Sequence, residues 1–126
     1  MRRLGDRGSA VVAAVLTLPM VVAFFVVVAQ VGVVAYVHSN AAHAAAEGAR
    51  AAAVSQMPAV AALQRVQAVM HQTSGVIRVD HVTTTAPLMS GVSVIHVVVT
   101  VSVPTMWITG RHTVRASATV VRELAP

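Results

Sequence analysis

Hydrophobic and polar positions follow three different rhythms along this chain. From Val11 to Val37 nearly every position is Val, Ala, Leu, Phe, Met or Gly, interrupted by Thr17, Pro19 and Gln30. About 20 apolar residues in a helix cross the roughly 30 Å hydrocarbon core of a bilayer. This run is longer, so it predicts a single membrane span. Pro19 removes one backbone donor within it and predicts a kink. From Ser39 to Ala53 the chain stays Ala-rich and free of proline, which predicts that the same helix continues as a stalk. Gly48 lies in that stalk; a glycine costs about 1 kcal/mol relative to Ala in a helix, so it predicts close packing against another element. Glu47 and Arg50 are spaced i,i+3 and are expected to pair on one face.

The second rhythm is amphipathic. Ser55-Gln56-Met57-Pro58 predicts a break or kink, after which Ala59, Ala62, Leu63, Val66, Val69 and Met70 recur at helical spacing, with Gln64, Arg65, Gln67 and His71 largely elsewhere. Ser74-Gly75 should end this helix. The third rhythm is alternation. Val76 to Thr84 predicts a first strand, Val92 to Val103 a second, with Ser93, Ile95, Val97, Val99, Val101 and Val103 on a core-like face. Thr113 to Arg122 predicts a third, with Val114, Ala116, Ala118 and Val120 on one side and Thr113, Arg115, Ser117 and Thr119 on the other. Ala86-Pro87 and Ser90-Gly91 punctuate the first two strands. The expected fold class is α+β: a long N-terminal transmembrane and stalk helix, a short amphipathic helix, and a small antiparallel sheet of about three strands packed against one or both helices. The organisation this implies is a basic leader over 1–8, a membrane helix over 9–37, a helical stalk over 38–56 and a small exported domain over 57–126.

Charge adds an orientation. Arg2, Arg3 and Arg7 precede the apolar run, and the next arginine, Arg50, lies well beyond its other end. The positive-inside tendency therefore predicts a cytoplasmic amino terminus, with the remainder exported from the cytoplasmic membrane. A secretory signal with cleavage near Ala46 is a competing reading, but its apolar region is ordinarily only about 7–15 residues long. The chain is basic, with nine arginines, no lysine and four acids, Asp6, Glu47, Asp80 and Glu123. Those arginines are dispersed and not interleaved with aromatics, so no nucleic-acid partner is expected. The sequence contains no cysteine, which excludes disulfides, thiolate metal sites and thiol nucleophiles.

Candidate chemistry is sparse. His38 and His43 are i,i+5, about 140° apart on a helix, and cannot chelate together easily. His43 and Glu47 face one way but lack a third ligand. Asp80 and His81 are adjacent on a strand and are expected to point to opposite faces. His71, His96 and His112 are scattered. No paired carboxylates, triad or Gly-rich phosphate loop is present, so neither catalytic residues, metal ligands nor a cofactor are expected, and the chain reads as a non-enzyme. Trp107, the sole tryptophan, is either an interface anchor or a lid on the sheet.

Three stretches together resemble the TadE-like pilus-assembly family: Asp6-Arg7-Gly8-Ser9-Ala10-Val11-Val12, the Leu18-Pro19 step, and Ala44-Ala45-Ala46-Glu47-Gly48-Ala49-Arg50-Ala51-Ala52. The resemblance covers roughly the first 55 residues, and Glu47-Gly48-Ala49-Arg50 is its most telling piece. It implies a pilin-like minor pseudopilin of a tight-adherence (Flp-type) pilus or related secretion apparatus in the bacterial cell envelope. Its partners would be the bilayer, other pilin-like subunits, platform proteins, and a prepilin peptidase cutting between Gly8 and Ser9. The family pattern has Glu five residues after that cut, where this chain has Ala13. In such assemblies that carboxylate is thought to neutralise a neighbour's new amino terminus, so Ala13 leaves open an uncleaved chain, a position with no subunit above it, or a role outside pili. The alternative is a monomeric membrane-tethered binding module with no pilus role.

Overall fold

The structure is a computed structural model and describes residues 5–73, 77–104 and 111–122. Two helices, α1 (Gly5–Val54) and α2 (Pro58–Thr73), precede four strands, β1 (Arg78–Thr85), β2 (Leu88–Met89), β3 (Val92–Pro104) and β4 (Arg111–Val121). The class is the α+β arrangement expected, with a long apolar first helix and an antiparallel sheet. By its contacts the chain forms two units, Met1–Val33 and Val34–Pro126.

The first unit is α-helix from Gly5 onward, and its large apolar side chains are exposed, among them Leu16, Met20, Phe24 and Phe25. Thr17 is the polar interruption before Pro19. Its hydroxyl donates back to the carbonyl oxygens of Ala13 at 2.8 Å and Ala14 at 3.3 Å, which removes the cost of an unpaired hydroxyl in apolar surroundings.

In the second unit the remainder of α1 buries one stripe: Val37, Ala41, Ala44, Ala45, Ala49 and Ala52. These recur at three- and four-residue steps, one face of a helix. The turn to α2 is made by Ser55, whose Oγ accepts from the backbone N–H of Met57 at 3.0 Å. Met57 O then accepts from Ala61 N, so Pro58 stands at the first helical position, where its missing N–H costs nothing. α2 buries Ala62, Val66, Val69 and Met70. Ala59 and Leu63, expected on that apolar face, are exposed instead, Leu63 at 41%. The buried stripe is therefore narrower than the apolar one, and it includes Ala62 and Val66, which meet α1 at Gly48. A Cβ built on Gly48 would lie 2.7 Å from Val66 Cγ2 and 3.4 Å from the Ala62 carbonyl oxygen. The glycine is therefore the close contact its presence in the stalk predicted.

β3 is the central strand, paired antiparallel with β1 and β2 along one edge and with β4 along the other. β2, which alternation did not predict, continues β1 after Ala86-Pro87 and joins β3 through Ser90 (φ 52°) and Gly91 (φ 81°). Two consecutive left-handed residues make the tight hairpin whose twist matches its strands. Ile95, Val97, Val99 and Val101, all 0% exposed, with Val114 and Ala116 of β4, form the inner face and join the α1 and α2 stripes in one core. The expected core face of the second strand is thus the observed one. The predicted end of α2 at Ser74-Gly75 and the start of the first strand at Val76 lie outside the described residues, as does the centre of the loop bearing Trp107.

One strand expectation is overturned. Register pairs Arg78 with Ser102, Val79 with Val101 and His81 with Thr100, leaving Asp80 as an extra residue in a β-bulge. Asp80 accepts a hydrogen bond from Ser102 Oγ at 3.1 Å. Asp80 and His81 therefore lie on the same, outer face, because a bulge inserts one residue and breaks strict alternation.

The helix contact makes a signed prediction. Gly48→Ala crowds Val66 and should destabilise the detergent-solubilised chain by up to about 2 kcal/mol, the overpacking cost less the helix-propensity gain. In a Val66→Ala background the same change should stabilise by about 1 kcal/mol. Denaturant unfolding followed by circular dichroism reads both, and the same sign in both backgrounds would refute the contact.

Candidate functional site

The sequence motif Glu47-Gly48-Ala49-Arg50 ends up at the crossing of α1 and α2. Glu47 stands on the rim of the Gly48 contact, its side chain 22% exposed. Arg50 Nη1 donates to Glu47 Oε1 at 3.1 Å, the i,i+3 pair the spacing predicted, and Arg65 Nη2 on α2 donates to Glu47 Oε2 at 3.2 Å. One carboxylate thus links two guanidiniums, one on its own helix and one on the neighbour. Arg65 is the functional neighbour that sequence reasoning missed. It lies eighteen positions away, and its position on the polar side of α2 was the only signal of its role.

These hydrogen bonds, that from Arg65 foremost, hold the Glu47 carboxyl below the usual carboxylate range, against the smaller opposing effect of partial burial. With both oxygens engaged by guanidiniums, the group is an anchor between helices, not a poised base. Asp80 is engaged by Ser102 on the outer face of the sheet. Among the described residues no three His, Asp or Glu side chains gather as a metal site.

Gly8 and Ser9, the expected processing pair, lie in the first turns of α1. Both are exposed, and nothing stands within 4 Å of a Cβ built on Gly8. Trp107 lies outside the described residues. Downstream of Ser9, α1 is long and apolar enough to span a bilayer, and the most hydrophobic window of that helix has none of its residues buried inside the protein. Apolar side chains exposed all round a helix must be covered by lipid or by other apolar surfaces.

Residues 8–50 match a family model described as TadE-like protein. No curated protein and no solved structure matches the chain. The TadE-like match takes in roughly a third of the chain and bears out the resemblance read from its residues. It begins at Gly8, runs through the whole exposed apolar segment, and closes on Arg50, one residue pair beyond Gly48. Arg65, α2 and the sheet lie outside it. The TadE-like segment thus contains the candidate membrane span and one half of the helix crossing, and the chain completes that crossing with residues of its own.

The Glu47 pairing sets a pH dependence. Its folded-state pKa is depressed, so the stability it contributes is fully present above the ordinary carboxylate value of the unfolded chain and is lost as pH falls through the lower folded value. Between about pH 5 and pH 3 the unfolding temperature of the native chain should fall more steeply than that of Glu47→Gln. Arg65→Gln should remove more of this difference than Arg50→Gln, since the Arg65 bond is the larger cause. Parallel slopes for native and Glu47→Gln chains would contradict the assignment.

Proposed function

We propose that this chain is a non-enzymatic, membrane-anchored minor pseudopilin-like subunit of a tight-adherence pilus or a related secretion apparatus. The observation that carries the reading is the coincidence of the TadE-like match at residues 8–50 with an apolar helix wholly exposed along its most hydrophobic part. Pilin-like assembly requires a helix that is first covered by lipid and then by neighbouring subunits, and such a helix must be apolar on every side. In this reading the amino terminus is cytoplasmic and the Val34–Pro126 unit is outside, with prepilin peptidase and assembly-platform proteins as partners.

Ala13 gives the proposed role its particular form. A peptidase cut after Gly8 would create a charged amino group on Ser9 at the edge of the apolar segment, and Ala13 offers it no carboxylate. An unpaired charge among apolar helices is costly, so this subunit belongs where its amino terminus meets headgroups or water and not where it is enclosed by copies of itself. A minor subunit at an end of an assembly satisfies this condition. The second reading, a membrane-tethered binding module, is favoured by the same Ala13 and by the match ending before α2 and the sheet.

Intact mass and amino-terminal sequence of the protein recovered from native membranes test the first reading. A start at Ser9 is the expected result, and a chain retaining the residues before Ser9 favours the tethered module. Replacing residues 11–33 with an unrelated membrane helix should abolish pilus assembly while leaving membrane anchoring intact. Unchanged assembly would refute a role for that helix beyond anchoring.

A further inference from the structure

The two long edges of the sheet are built differently. β1 carries the Asp80 bulge and is followed by Pro87, and bulges and prolines are the means by which proteins blunt a sheet edge. β4 has neither. Its eleven residues pair with β3 in unbroken register from Arg111↔Pro104 to Val121↔Val94. Among the described residues no strand lies along its other side.

The hydrogen-bond phase says which groups that free side offers. Arg122 N donates to Ser93 O at 2.8 Å, so this is a bonded pair in the β3–β4 ladder. Bonded and non-bonded pairs alternate along an antiparallel ladder. Even-numbered residues of β4 therefore turn their N–H and C=O toward β3, and Thr113, Arg115, Ser117, Thr119 and Val121 turn theirs outward. These are donors and acceptors in strand geometry, at every second residue.

Charge selects what can pair there. Residues 111–122 contain three arginines, a histidine and no acid. Arg111 and Arg115, four positions apart, are exposed; their side chains stand on the outer face, and they belong to the odd-numbered set whose backbone groups turn to the free edge. A second copy of β4 would bring three more arginines and no acid from its own residues 111–122 to the same edge, and gathering like charge there is unfavourable. We propose that the free edge of β4 accepts an added strand from a different protein, an extended segment with acids on the outer face beside Arg111 and Arg115 and apolar residues on the inner face beside Val114 and Ala116. Main-chain hydrogen bonds supply the affinity in such strand addition, and side-chain complementarity supplies the choice of partner. This goes beyond the pseudopilin reading and does not rest on it.

The test uses the full chain in neutral detergent and two capped peptides, one alternating Glu with Val and one alternating Lys with Val, titrated by calorimetry. The Glu peptide should bind, more weakly as salt is raised, and the Lys peptide should bind at least about tenfold less well. Ser117→Pro deletes one outward N–H while sparing the ladder to β3, a change edge strands tolerate, and should weaken the Glu peptide about tenfold. Arg115→Glu keeps the backbone edge intact and should move the preference toward the Lys peptide. Equal binding of the two peptides, or a preference unchanged by Arg115→Glu, overturns the proposal. So does full affinity in a folded Ser117→Pro chain. Efficient disulfide dimerisation of Ser117→Cys, in a chain with no other cysteine, also overturns it by making the occupant a second copy.

Discussion

The approach of α1 to α2 at Gly48 is the constraint on which the Val34–Pro126 unit depends. With no Cβ at Gly48, Val66 and the Ala62 backbone come into van der Waals contact with the α1 backbone. Alanines at 41, 44, 45, 49 and 52 keep the rest of that helix face low. Such a surface has little side-chain volume of its own, and close packing leaves no room for voids. The volume is supplied from the other side by the branched inner face of β3, Ile95, Val97, Val99 and Val101. Small residues on the helix and β-branched residues on the sheet are two halves of one packing solution.

The acid at the crossing is paired on both of its oxygens. Glu47 sits at its rim and accepts from two arginines, one of them on α2, so the carboxylate bridges the two helices. Exposed ion pairs of this kind contribute little stability; what Glu47 adds is specificity in how α2 lies along α1. On the far face of the sheet, Ser102 is 5% exposed and is kept satisfied by Asp80. The bulge is what brings that carboxylate to it. The segment before Val34 obeys the opposite rule: its large apolar side chains are exposed along a helix long and apolar enough to span a bilayer.

Taken with the TadE-like match over residues 8–50, this division assigns different kinds of work to different parts of the chain. The matched segment carries the features that a membrane span and a helix crossing demand, which are uniform apolarity, small residues and a single buttressed acid. The sheet lies outside the matched segment and carries an exposed outer face and, among the described residues, a β4 edge with no strand beside it.

Much of this was legible in the sequence, because it depends on local periodicity. The apolar run from Val11 to Val37 announced a long apolar helix, a candidate membrane span; three- and four-residue spacing announced α2; alternation announced the inner face of β3 and β4. The pairing of Glu47 with Arg50 is a property of one helix, and the meaning of Gly48 could be read from the cost of a glycine there. What only the tertiary structure decided are the features set by residues far apart in the chain. Arg65 meets Glu47 through the helix crossing. Ala59 and Leu63 look apolar enough to be buried but are left outside. Asp80 and His81 share a face because register with β3, and not the alternation of β1 alone, places the bulge. Local pattern fixes which face of an element is apolar, through backbone geometry within a few residues. How much of that face is covered, and by which partner, is set by how closely the elements approach one another, which no single segment encodes.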